Sequence, residues 1–144
     1  MSADIFARAD QRYRRGLDLL KGLPGESAAM VTSRLAEVAP EFARLAVEFG
    51  YGDLFSRPAL DLKAREIAAI SALGALGNAA PQLRAHVASA LGIGVARGEI
   101  VEVLMQLAFS AGFPAAINAL TACHDLLTDQ ATSCESCASD SRQG

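Results

Sequence analysis

From Ile67 to Gly77 the chain reads IAAISALGALG, and no arrangement of that run has a polar face. Ser71 is its only hydroxyl. A helix here has to be covered on every side, which predicts a buried helix inside a larger assembly of helices. Yet the run is preceded by Glu66 and followed, after the break GNAAP, by His86. A carboxylate carried into apolar surroundings is costly unless a partner pairs with it or chemistry uses it.

The rest of the chain is helical in period. DIFARADQRYRRGLDLLKGL has apolar residues at helical spacing and ends in the turn KGLPGES. Ser27 can cap a second helix reaching about Val38, and Pro40 suits the first position of a third. In that third helix, PEFARLAVEFG, the residues Phe42, Leu45, Ala46 and Phe49 keep the helical spacing. Gly50, Gly52 and Pro58 then predict a loop over GYGDLFSRPAL. Asp61 is placed to cap the fourth helix, and Leu62, Ala69, Ile70 and Leu73 share the face of Glu66. Gly74 and Gly77 are expected to let another backbone approach. QLRAHVASALGIG, RGEIVEVLMQLAFSAG and FPAAINALTACHDLLTD complete the set, with no strand pattern between them. The expected class is all-α, with residues 1–129 forming a single domain.

Counting Gly and leaving out Tyr, roughly 58% of the 144 residues are apolar, against a usual 45–50%. That is more apolar surface than one small globule covers, so a homo-oligomer is expected. Net charge is −3. The densest basic cluster, RYRRG, lies beside Asp10 and Asp18 and reads as a solvated helix face, so nucleic acid is not an expected partner. The N-terminus lacks a signal peptide's apolar segment, and the longest apolar run is too short to span a bilayer. A cytoplasmic protein with no membrane partner is the expectation.

Three cysteines make no disulfide framework. Cys123 reads as a small core residue. Cys134 and Cys137 form CESC in a tail, 130–144, rich in Ser, Asp and small residues and expected to be disordered. A single C-x-x-C without a second pair or a nearby His is poor evidence for zinc, and neither metal nor cofactor is expected.

What remains is a small polar set in an alanine-rich bundle: Tyr51, Asp53, Arg57, Arg65, Glu66, His86, Gln106 and Asn118. Each has a plain structural reading. His86 can be a hydrogen-bonded core or interface residue, and Glu66 can pair with an arginine across an interface. Tyr51 and Asp53 can belong to a turn, and Arg57 can pair with Asp61. Gln106 and Asn118 can join helices by hydrogen bonds.

Three ordered segments, EFGYGDLFSRPALDLKAREIAAI, LGNAAPQLRAHVASALGIGV and EIVEVLMQLAFSAGFPAAINAL, resemble the carboxymuconolactone decarboxylase family. The resemblance implies an alkylhydroperoxidase D-like all-α fold built on a helical hairpin. It also implies assembly as trimers or hexamers, with sites near subunit contacts. The family's thiol peroxidase branch carries a glutamate, then a C-x-x-C pair, then a histidine. At that spacing the cysteines would fall at Asn78 and Pro81, so both thiols are missing. The other branch decarboxylates 4-carboxymuconolactone. Decarboxylases proper often have a hydroxyl residue where Glu66 stands and a tryptophan within the loop written here YGDLFSRP.

Decarboxylation requires a proton donor to carbon, an oxyanion donor and a grip on a second carboxylate. The resemblance assigns His86 and Glu66 as catalytic candidates, with Tyr51 and Arg57 as substrate-binding ones. A histidine's ordinary pKa of about 6.5 suits it to proton delivery near neutral pH. Glu66 can orient it. Arg57 can fork onto a carboxylate, and Tyr51 can donate to the oxyanion. The expected partner is a small lactone or carboxylated ring-cleavage product. A thiol-dependent peroxidase and a non-catalytic helical oligomer are the alternatives.

Overall fold

A computed structural model describes residues 2–24 and 33–128. Within them every regular element is a helix: α1 Ser2–Gly22, α2 Leu35–Val38, α3 Pro40–Leu45, a π-helical stretch Ala46–Phe55, α4 Leu62–Leu76, α5 Ala80–Gly92, α6 Arg97–Ser110, α7 Phe113–Ala122 and α8 His124–Leu127. The all-α expectation holds. Ser27 and the tail cysteines Cys134 and Cys137 lie outside the described residues. No described helix is long and apolar enough to cross a membrane.

The helix that holds Glu66 begins and ends where its sequence says it should. The Asp61 carboxylate accepts from the Ala64 backbone N–H at 2.8 Å, satisfying one of the first-turn donors a helix leaves open. Gly77 ends α4 in the left-handed region, φ +73°, which costs a residue without Cβ least. At the start of α6 the Glu99 side chain accepts from the Ala96 N–H at 2.7 Å. Pro81 and Pro114 occupy first-turn positions of α5 and α7.

α4 and α5 form a hairpin, as do α6 and α7, and the four pack together. Their shared core contains Ile70, Leu83, Val87, Ile100, Leu104 and Leu107, with Cys123 fully buried at the end of α7. Gly74 admits a side chain, Leu107, rather than the expected second backbone, and at Gly77, where one was also expected, the space is open. The outer face of α4 differs from expectation: Ala68, Ala72, Ala75 and Leu76 are exposed in the single chain. Nothing among the described residues covers that apolar face.

A second core joins α1 to the π stretch through Leu20, Leu23, Val47 and Tyr51. Here the structure corrects the predicted loop. The chain from Gly50 to Phe55 continues α3 as a wider helix. Neither Gly50 nor Gly52 breaks it, and Gly52 is a contact point with α1: a methyl group on Gly52 would overlap the Arg12 carbonyl oxygen, and one on Gly16 of α1 the Val47 carbonyl oxygen. Backbone-to-backbone packing of this closeness requires both glycines. Phe42, Leu45 and Phe49 keep the helical spacing but are exposed, while Ala43 and Val47 are buried, Val47 in the core shared with α1.

The basic cluster of α1 is likewise more than a solvated face. Arg12 Nε donates to Asp53 at 2.9 Å, and Arg15 Nε donates to the Gly52 carbonyl at 2.6 Å. Beside Arg12, the Asp53 carboxyl is held below the usual carboxylate range. Arg44 links the layers again, donating to the buried Glu48 at 2.7 Å and to Asp10 at 3.0 Å. The two cores meet where Leu62 and Ile93 pack on the second one, and where Ser89 Oγ donates to the Pro24 carbonyl at 3.0 Å.

Candidate active site

Glu66 lies on the first turns of α4 and His86 midway along α5. The hairpin therefore brings together two residues twenty positions apart. Their side chains meet with Nδ1 2.7 Å from Oε2. Glu66 is fully buried, whereas the His86 side chain keeps 18% of its surface exposed. The second carboxylate oxygen, Oε1, has no hydrogen-bond partner among the described residues, although it is buried. Native proteins rarely leave a buried polar atom so, and such atoms mark sites of strain, chemistry or ligand contact. Of the two partners the sequence offered Glu66, the contact within this chain is with the histidine.

Around this pair the π stretch supplies an aromatic wall. The Phe55 ring lies 6.2 Å from the His86 ring, centroid to centroid, and Tyr51 lies 5.4 Å from Phe55. Tyr51 is itself buried. Burial first, and the nearby Glu66 charge second, push its hydroxyl pKa up to about 12. The phenol is thus a neutral donor across the ordinary pH range. Phe55 has no titratable group, and its role was not legible while the segment read as a loop. Its four-residue spacing from Tyr51 is the signal that a helical reading would have found.

Arg57 stands apart from this pair in character. It is exposed in the turn before α4, and its guanidinium has no ion-pair partner among the described residues; Asp61 is occupied in capping. Its carbonyl accepts from Arg65 Nη2 at 2.7 Å, which ties the turn to the residue preceding Glu66. Asp53 belongs to the α1 contact. Gln106 and Asn118 are exposed and form no helix–helix hydrogen bond among the described residues.

The thiol positions are equally plain. Asn78 is in the turn between α4 and α5 and Pro81 in the first turn of α5, and both are exposed. The Cys123 thiol is pushed up by burial, which suits a packing residue and not a nucleophile. Among the described residues no group of three or more His, Cys, Asp or Glu side chains could hold a metal ion. A small cavity of about 60 Å³ opens elsewhere, lined by Leu73, Gly74, Leu83, Asn118 and Ala119, without a titratable group.

The sequence pattern of the carboxymuconolactone decarboxylase family matches residues 40–125, which include the π stretch, both halves of the pair and all four core helices. The chain belongs to the carboxymuconolactone decarboxylase family. It is 28% identical over 121 residues to a 4-carboxymuconolactone decarboxylase of Acinetobacter baylyi, covering 83% of this chain and 90% of that protein. It is also 36% identical over 89 residues to a 15.0 kDa protein in the nqo9-nqo10 intergenic region of Paracoccus denitrificans, covering 60% of this chain and 65% of that one. Family membership carries the alkylhydroperoxidase D-like all-α fold with it.

Proposed function

We propose that this family member is a cytoplasmic carboxy-lyase acting on a small lactone that bears a carboxylate, of the 4-carboxymuconolactone kind. The observation that carries the reading is the 2.7 Å contact between a fully buried Glu66 and a partly exposed His86. A carboxylate only accepts, so the hydrogen bond holds the imidazole by Nδ1–H and leaves Nε2 to meet a substrate.

In the proposed reaction the bond from the γ-carbon to CO2 breaks. Its electron pair moves through the ring double bond onto the lactone carbonyl oxygen, giving a dienolate. Tyr51 donates a hydrogen bond to that oxygen. Protonated His86 then delivers its Nε2 proton to the α-carbon, and Glu66 holds the ring in place while stabilising its charge. Arg57 grips the substrate's remaining carboxylate. A homo-oligomer, a trimer or hexamer as the family resemblance implies, would cover the exposed apolar faces.

Nothing specific favours the peroxidase alternative, because Asn78 and Pro81 can neither form a disulfide nor reduce a peroxide. CO2 release from 4-carboxymuconolactone should be measurable with the wild-type protein. It should fall by about 10²–10⁴-fold in His86→Ala, the usual share of a general acid. Wild-type silence would remove this reaction.

A further inference from the structure

We propose that the same site also moves protons between two carbons: it isomerises α,β-unsaturated γ-lactones that carry hydrogen, in place of a carboxylate, on the γ-carbon. The Glu66–His86 geometry carries this step. With Nδ1–H committed to Glu66 Oε2, the neutral imidazole has its lone pair on Nε2, the nitrogen without another hydrogen bond among the described residues. In that neutral form His86 is a base. Donating a proton to carbon in a decarboxylation returns it to that same basic form.

Taking a proton from carbon makes His86 a cation 2.7 Å from a buried carboxylate. The charge created is compensated where it forms, which is how a paired acid lowers the barrier to forming imidazolium. Glu66 suits this task because Oε1 has no donor of its own. The anion is not already quenched by the protein. A non-reacting structural pair would be expected to satisfy both oxygens.

The intermediate is shared. Removing CO2 from the γ-carbon and removing a proton from it leave the same electron pair in the same ring, so a site that stabilises one dienolate stabilises the other. For the isomerisation, the γ-C–H bond breaks and its proton goes to His86 Nε2. The electron pair forms the β,γ double bond and charges the carbonyl oxygen, on which Tyr51 donates. His86 then returns a proton to the α-carbon. The product is the β,γ-unsaturated lactone, and no oxidant, reductant or cofactor is consumed. The inference shares with the proposed function the assignment of His86 as the reacting group, but it does not depend on loss of CO2.

The test uses the full-length protein, a γ-methyl α,β-unsaturated lactone and D2O, followed by proton NMR against buffer alone. Expected are deuterium at the α- and γ-carbons and the appearance of the β,γ isomer. Both should fall at least about 100-fold in His86→Ala and about tenfold or more in Glu66→Gln. His86→Gln serves if His86→Ala loses the wild-type circular dichroism spectrum. CO2 release from 4-carboxymuconolactone is measured alongside. Exchange without CO2 release upholds this inference and removes the proposed decarboxylation. CO2 release without exchange does the reverse. Exchange that survives undiminished in a folded His86 variant overturns the inference.

Discussion

Replacing Glu66 by Gln keeps the shape of the side chain and removes its charge, so it separates the two uses of a buried carboxylate. If Glu66 only fills space, turnover survives. If it stabilises a protonated His86, kcat falls about 100-fold or more while the fold persists, as read by steady-state kinetics beside circular dichroism. Glu66→Ala goes further, leaving His86 unpaired over a cavity, and should cost about 3 kcal/mol in denaturant unfolding. Tyr51 gives a pH signature. Its folded pKa, about 12, lies above the ordinary phenol value of 10.0. The neutral form is therefore favoured by folding, and that contribution is complete below pH 10 and lost as pH rises toward 12. Wild-type stability should drop more steeply than that of Tyr51→Phe between those limits. Glu66 and His86 were legible in the sequence because ionisable groups stand out beside a run of alanine and leucine. Their contact was legible only as one reading, Glu66 orienting His86, beside an arginine across an interface, because the choice depends on how the α4–α5 turn aligns two helices.

At the scale of elements, the π stretch decides whether Tyr51 and Phe55 reach the site. Its packing on α1 predicts opposite results for two neighbouring glycines. Gly52→Ala would drive a methyl into the Arg12 carbonyl and should destabilise by about 2 kcal/mol or more. Gly50 has open space around it, so Gly50→Ala should be neutral or stabilise by up to about 1 kcal/mol through helix propensity. Urea midpoints of the two variants check the pair. Caps and stops were legible: Asp61, Pro40 and Gly77 act through local chemistry that a short window contains. The 50–55 segment was not. Gly50 and Gly52 read as loop residues although α1 lies against Gly52, and an i→i+5 helix does not keep the 3.6 period used to find helices. The outward turn of Phe42, Leu45 and Phe49 has the same origin, because period alone shows that a stripe exists without showing which side the rest of the chain covers.

For the whole molecule, the apolar excess in the composition reappears as surface. Phe109 is 96% exposed, Phe113 72% and Val38 85%, with Met105 and Ile117 also exposed on α6 and α7. The four of these that lie on the α6–α7 hairpin, Met105, Phe109, Phe113 and Ile117, are what a subunit contact would cover. The protein should therefore elute at a multiple of 15.0 kDa. Phe109→Asp should shift it toward smaller species by light scattering while leaving its helical content unchanged. A wild-type monomer at micromolar concentration would contradict that expectation.

The account rests most heavily on His86 as the group that gives a proton to carbon. The most direct measurement is the turnover of 4-carboxymuconolactone in D2O, with the product examined by NMR. His86 delivering from a fixed position predicts one deuterium on the α-carbon, placed on a single face of the ring, and loss of the reaction in His86→Ala. Deuterium spread equally over both faces, or turnover unchanged in the variant, would contradict it.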